Sequence, residues 1–595
     1  MFVQTPPTQP PNAFLADRVL LAIIKRRAKE HSQDIHKDLV RFSDVLASPE
    51  VKENCREANT YLPQLRQYSS WGEHIDKIDT AHGWKAMKDL SAKEGLIATG
   101  YETKNYPQNP SLARVHQFAK LFLFSPVSAL YTCPLAMTDG AALLLSLSDD
   151  PTTADVKREY LPRLLSRDPE KFICSGQWMT EKPGGSDVGN TETCAVPCPG
   201  TVDPNSFLIQ GRKWFSSATD ADITFLLARE GVATDNNTHT FQETSKGLSL
   251  FFAPIWLETP ETLKVHRHAR RSVQKLNGIQ IVALKNKHGT KQLPTAELEL
   301  NGMRARRMGP QFKGVKTVAT MLNITRLHAA IGTIAGLRHV LFLAKDFANK
   351  RVAFGKLLRD QPLQARVLAD LETVTAGLMH SCFYVVGLLG KSENGGNVED
   401  GVMLRFLTPV MKAFVSKMSN AGISECMEAL GGVGYIEETG VSTILRDQAV
   451  NMIWEGATNV MSLDVLRVLL ETKGVAAFIF QRRMIELLNV KTGSQTLETL
   501  KRKLEAQLAS FPDLCKSAMS NEVESRTLLF SMGYLIGGVL LVEEALFSNE
   551  ETDVAIAQRW IHNCGAIGNF GVGGYDQKDV FTKDSDILVA FGSKL

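Results

Sequence analysis

The stretch FLIQGRKWFSS, Phe207 to Ser217, is rich in β-prone residues and is broken by turn-forming ones on either side. Four more short runs of the same character follow it: ADITFLLARE from Ala221, GLSLFFAP from Gly247, GIQIVAL from Gly278 and AELELNG from Ala296. Clusters of Gly, Asn, Pro and Asp separate them. This spacing is expected of a small antiparallel barrel or sandwich between about Phe172 and Met303. Outward on both sides the period changes to that of helices. Before it stand LADRVLLAIIKRRAKEH and SLARVHQFAKLFLF; after it, from Lys313, comes KGVKTVATMLNITRLHAAIGTIAGLRHVLFLAKDFANK. Helices, a β insert and more helices argue against a doubly wound sheet, in which strand and helix would alternate.

The expected fold class is therefore α+β, with boundaries at residues 1–171 (helical), 172–304 (β), 305–472 (helical bundle) and 473–595 (helical extension). A chain of 595 residues is too long for one hydrophobic core, which agrees with several domains. In the extension, Leu497, Leu500, Leu504 and Leu508 form an apolar stripe at helical spacing.

Composition excludes some classes of function. The chain is 44% hydrophobic and 22% charged with a net charge of +3, so no global field recruits nucleic acid or an anionic membrane. Mean hydropathy is −0.10. The longest apolar run, Thr527 to Val542, is interrupted by Gly533, Gly537 and Gly538 and falls short of the roughly 20 residues of a spanning helix. It reads as a buried bundle helix with close packing at its glycines. Nine cysteines are scattered, and Cys194 and Cys198 have no second Cys or His pair nearby, so no metal is expected and reduced thiols are. The proline-rich start, MFVQTPPTQPPNAF, does not read as a secretory signal. Ser593, Lys594 and Leu595 read as a peroxisomal address, with cytoplasm or mitochondrion as the alternatives.

No GxGxxG after a strand, GxxxxGK[ST] loop or HExxH helix is present; Pro183-Gly184-Gly185-Ser186 fits none of them. Four segments do carry a resemblance. They are Met179 to Val188 (MTEKPGGSDV) and Gly211 to Ser217 (GRKWFSS). Next come Arg326 with Arg351 to Lys356 (RVAFGK), and Glu428 to Tyr435 (EALGGVGY) with Arg446-Asp447 and Ile453 to Asn459 (IWEGATN). In this order they resemble the acyl-CoA dehydrogenase family over roughly Asp17 to Leu470, and MTEKxGGSD, WEG for YEG and the extension look most like its AidB-like branch.

The resemblance implies FAD, a fatty acyl-CoA substrate and Glu455 as the base for the α-proton. A glutamate of ordinary pKa, about 4.3, is too weak for that task, so a dry site is required, and Ile453 and Trp454 are expected to supply it. Gly456 would let the thioester approach. Met179, Thr180, Gly185 and Ser186 would line the flavin, with Ser186 also facing CoA. Phe215, Ser216 and Ser217 take the places of the family's W-I-T, Ser217 keeping the hydroxyl of the usual Thr. Thr458 and Asn459 would close over the flavin. Arg351, Phe354, Gly431 and Gly432 match residues that hold the FAD of a neighbouring subunit, which implies at least a dimer and an expected dimer of dimers. Glu428 replaces the usual glutamine. Arg326 matches a substrate-side arginine near the CoA phosphates, and Met321, Leu322 and Phe354 are expected to frame an acyl groove.

Three functions remain open at this point: a dehydrogenase passing electrons to an electron-transfer flavoprotein, an oxidase using oxygen, and an acyl-CoA-binding flavoprotein. Nucleic acid is disfavoured, because the basic stretches His266 to Arg271 and Arg304 to Arg307 read as solvated loops.

Overall fold

The computed structural model describes residues 4–201, 203–234, 239–265, 274–562 and 586–587. The terminal Ser593 to Leu595 and the basic stretch His266 to Arg271 lie outside them. The chain forms two compact units. One comprises Met1–Ser48, Glu102–Pro126 and Arg326–Leu595, the other Pro49–Tyr101 and Val127–Thr325.

The second unit is built on an eight-stranded sheet. Its strand Thr295–Met308 pairs with both Ser206–Ser217 and Leu248–Pro254. Leu248–Pro254 pairs in turn with Ile223–Ala233, which pairs with Cys194–Pro197, and that strand returns to Ser206–Ser217. The circuit closes, as expected of a barrel. The sheet is mixed rather than wholly antiparallel: Ser175–Trp178 and Cys194–Pro197 both run parallel to Ile223–Ala233. The first six residues of Ile223–Ala233 are all buried, as suits a strand covered on both faces. A hairpin that the polar sequence conceals, Gln64–Tyr68 with His74–Asp79, also belongs to this unit.

A β-bulge decides what the strand Ser206–Ser217 presents. Phe207 and Ile209 point inward on the usual alternation. The register with Thr295–Met308 then shifts between Ala296 and Leu298, so that Lys213 and Ser216 are the buried residues and Phe215 is turned outward.

The first unit is helical. Its core includes Pro362–Glu393, Val398–Val410, Ser416–Ala429 and Thr458–Glu471, with the Arg326–Lys350 part of the long helix Gly314–Lys350. The extension adds Val475–Leu488, Gln495–Ser520, Ser525–Ser548 and Glu551–His562. Leu497, Leu500, Leu504 and Leu508 are all buried, as their spacing predicts. A side chain at Gly533 would strike the Phe414 ring at 2.4 Å and one at Gly537 the Trp560 ring at 2.3 Å, so these glycines are where aromatic rings reach the helix axis. Gly314–Lys350, Pro362–Glu393 and Glu522–Ser548 are long and apolar enough to cross a membrane by length and composition, and their apolar windows are largely buried inside the protein.

Candidate active site

Glu455 sits in the turn between the helices Val441–Ala449 and Thr458–Glu471. Its φ is +58° and that of Gly456 is +107°, so a residue with a side chain is held in the left-handed region just before a glycine. That conformation costs of order 1–3 kcal/mol and persists only when its surroundings hold it. Two cations do so. Arg326 Nε donates to the Glu455 carbonyl at 3.2 Å, and Lys412 Nζ donates to the carbonyl of Gly456. Arg326 is aligned by Asp464, whose Oδ2 accepts from its Nη1 at 2.9 Å, while Arg405 donates to both oxygens of Asp464 at 2.6 and 3.0 Å. Burial raises the Asp464 carboxyl, but Arg405 and the charge of Arg326 outweigh it and hold it below the usual range. For Lys412 burial dominates and draws the amine down to about 7, against the attraction of Glu455 and with the repulsion of Arg326.

The neighbours of Glu455 differ from expectation. Ile453 is 68% exposed in the single chain, because the short turn Val450–Met452 swings it outward, and Trp454 is half-buried with its Nε1 donating to Asn451. Arg326, expected beside CoA, is engaged by the turn itself and by Asp464. Thr458 is buried in the first turn of its helix, and Asn459 Oδ1 accepts from Arg526 of the extension at 2.7 Å. Met321, expected in a groove, is fully buried against Gly140.

In the other unit, the two motif segments around Met179 and Lys213 meet. The Thr180 carbonyl accepts from the Trp214 N–H at 2.9 Å, and Glu181 pairs with Lys213 at 2.6 Å. Met179 and Thr180 are half-buried; Gly185 and Ser186 are exposed on the loop beyond them. The Ser216 hydroxyl is buried and has no hydrogen-bond partner among the described residues, while Ser217 Oγ lies 3.1 Å from Thr295 Oγ1. Phe215 is 46% exposed, with the Lys285 ammonium 4.8 Å from its ring centre. The open aromatic face of Phe215 is a fit for a planar heteroaromatic group, while the Ser216 hydroxyl is turned to the interior.

Acyl-CoA dehydrogenase family member 11 of Caenorhabditis elegans is 40% identical to this chain over 573 residues, covering 94% of this chain and 88% of that protein. The chain belongs to the acyl-CoA dehydrogenase family. Putative acyl-CoA dehydrogenase AidB of Escherichia coli is 28% identical, covering 85% of this chain and 86% of that one. Sequence models match along the chain, described as the adaptive response protein AidB N-terminal domain (residues 3–171), the acyl-CoA dehydrogenase middle domain (176–303), the acyl-CoA dehydrogenase C-terminal domain (313–470) and the acyl-CoA dehydrogenase 11 C-terminal domain-like region (476–588). The branch is the AidB-like one. A crystal structure of Caenorhabditis elegans ACDH-11 in complex with C11-CoA superposes with a TM-score of 0.85 at 39% identity, covering 94% of this chain and 92% of that one. An acyl-CoA dehydrogenase from Bacillus anthracis complexed with FAD shares the fold at 16% identity, with a TM-score of 0.62 and coverage of 85% and 89%.

In this member of the family, Phe354, Gly431 and Gly432, expected to reach a neighbouring subunit, lie at the surface. Phe354 is 98% exposed at the tip of the small hairpin Val352–Ala353 with Lys356–Leu357, and Phe354 and Gly355 both have positive φ, as a tight hairpin turn requires. At Gly431 and Gly432 an added Cβ would meet nothing within 4 Å, leaving a bare backbone ledge beside Tyr435. Arg351 is tied to Gln4 by a 3.0 Å hydrogen bond.

Sequence reading missed Lys412, Arg405 and Asp464. A lone lysine or aspartate in an apolar helical run (LTPVMKAFV, MSLDVLRVLL) was the available signal, since a buried charge needs a partner. The basic stretch Arg304 to Arg307 ends the strand Thr295–Met308 rather than forming a loop, and two of its three arginines are paired: Arg306 with Asp155 and Asp203, and Arg307 with Glu230.

Proposed function

We propose that this chain is an FAD-dependent dehydrogenase that converts a fatty acyl-CoA to the trans-2-enoyl-CoA. The observation that carries this reading is the left-handed Glu455 turn, clamped by Arg326 and Lys412 on two successive carbonyls. A general base must be held in one geometry, and here the backbone that carries the carboxylate is fixed from both sides. Glu455 takes the α-proton, and the electron pair left at Cα forms the new double bond as hydrogen leaves Cβ with its own pair. FAD, when bound, supplies the acceptor for that hydrogen and its two electrons. Phe215, Ser216 and Ser217, with Met179, Thr180, Gly185 and Ser186, would hold it. Gly456 leaves room for the thioester.

The C11-CoA bound to the Caenorhabditis elegans relative supports an acyl-CoA as ligand. Exposed Phe354 and the open ledge at Gly431 and Gly432 support a second copy that receives them, in keeping with the dimer of dimers that the resemblance implies. The acceptor that reoxidises the flavin is either an electron-transfer flavoprotein or oxygen, and the terminal Ser593-Lys594-Leu595 supports a peroxisomal location. An anaerobic titration of the purified protein with acyl-CoAs of several lengths, following flavin absorbance, tests the function. Bleaching by one range of lengths is the expected result; tight binding without bleaching would make the chain an acyl-CoA-sequestering flavoprotein instead.

A further inference from the structure

Between the helices Val398–Val410 and Ser416–Ala429 the chain makes a single π-turn, Met411–Val415. Such a turn adds one residue to the helical ladder and re-aims the side chains it carries, which is why it recurs at functional sites. Lys412 lies on it and is completely buried. For packing alone an apolar residue would serve better, because a buried ammonium is costly unless specific groups receive it. The group that receives it is the carbonyl of Gly456, the residue after Glu455.

The charged groups around Lys412 are few and come from defined elements. Glu455 on the turn favours its protonated form, and Arg326 of the long helix disfavours it. Behind Arg326 stands Asp464 of Thr458–Glu471, held by Arg405 and Arg467. On the opposite flank the same π-turn meets the extension. Phe414 packs edge-on against Phe530 at 5.8 Å and Tyr534 at 5.0 Å, and fills the space left by Gly533. Arg526 of that extension helix also holds Asn459, four residues past the base.

We propose that Lys412 is the positioning residue of the base turn, anchoring the Gly456 carbonyl and so fixing the left-handed backbone from which Glu455 presents its carboxylate. Its catalytic consequence rests on Glu455 being the base; the anchoring does not. The extension braces the anchor from behind, through Phe414.

Hydrogen–deuterium exchange on the full-length protein tests this, read at peptides spanning residues 450–460 in wild type, Lys412→Met and Lys412→Gln, with thermal melting alongside. Lys412→Met is expected to raise exchange at Glu455–Ala457 by about tenfold or more, and Lys412→Gln, which keeps a donor, by less, while the helix Pro362–Glu393 stays protected. In acyl-CoA-driven flavin reduction Lys412→Met is expected to lower kcat with KM little changed, the pattern of a misplaced base rather than lost binding. Unchanged turn exchange in both variants overturns the proposal, whatever the activity. Raised exchange together with a wild-type flavin that no acyl-CoA bleaches upholds the anchor and overturns the reading of Glu455 as base. Should Lys412→Met not fold, Lys412→Gln decides alone, and turn exchange unchanged from wild type overturns the proposal.

Discussion

Lys213 meets Glu181 at 2.6 Å with the two side chains 0% and 2% exposed, an ion pair sealed inside the β unit. The lysine also donates to the Leu227 carbonyl, and the second carboxylate oxygen of Glu181 accepts from the N–H groups of Glu192 and Thr193. The pair therefore fastens both ends of the loop that carries Gly185 and Ser186 to the strand that carries Phe215 to Ser217. Lys213→Met leaves an uncompensated carboxylate in the interior, and a loss of about 3–5 kcal/mol in unfolding free energy is expected. Urea unfolding measures it, and flavin content on purification should fall with it. A loss below about 1 kcal/mol would mean that water reaches Glu181.

Glu455→Gln keeps the size and the backbone of the proposed base but removes its proton affinity. Bound flavin and acyl-CoA affinity are expected to survive, and flavin reduction by substrate to slow by about 10²–10⁴-fold, the range a general base contributes. Stopped-flow absorbance reads this directly. Reduction at the wild-type rate would remove Glu455 from the role.

The layout of the chain was legible because it rests on a local signal, the change of period at Phe172 and Lys313; Glu455 was singled out by the resemblance of the short motif around it. What was not legible depends on distance along the chain. The parallel pairing of Cys194–Pro197 with Ile223–Ala233 leaves no mark in either strand's alternation. The bulge that buries Ser216 in place of Phe215 comes from the register with Thr295–Met308, some 80 residues on by sequence number. Arg326 was placed by resemblance on the substrate side. Its visible partners are the Glu455 carbonyl and Asp464, 129 and 138 residues away. Lys412 reads as an interruption of an apolar helix until the fold brings Gly456 to it.

Gly533 faces the Phe414 ring so closely that any side chain must displace it. Gly533→Val is expected to cost about 1–3 kcal/mol as an overpacked core site. Because Phe414 shares its turn with Lys412, the same variant should also raise hydrogen exchange at the Glu455 turn. Gly401→Val, at a half-buried helix position where an added Cβ meets only the Ser392 hydroxyl at 3.9 Å, serves as the control. Equal thermal shifts in the two variants would argue against the brace.

The terminal Ser593-Lys594-Leu595 yields a prediction independent of the chemistry. In eukaryotic cells the full chain, tagged at its N-terminus, should co-localise with a peroxisomal marker, and deletion of these three residues should disperse it into the cytosol. A diffuse full-length protein would end the peroxisomal proposal.

Acid should destabilise this protein through histidines held in their neutral form, one buried and one half-buried. His380, on the helix Pro362–Glu393, is drawn down to about 3 by burial and by the charges of Arg27, Arg26 and Arg18, and His339 to about 4 by burial alone. In the unfolded chain both titrate near 6.5. Between that value and their folded values the unfolded state binds protons that the folded state does not, so stability falls as pH falls from about 6.5 toward 4. Each group contributes at most about 3–5 kcal/mol over the full interval, at 1.36 kcal/mol per unit. Unfolding free energies at pH 7 and pH 4.5 measure the slope, and His380→Leu should flatten part of it. A wild-type stability that does not change over this range would mean that the histidines take up protons in the folded state, and so that water reaches the helix interface around His380.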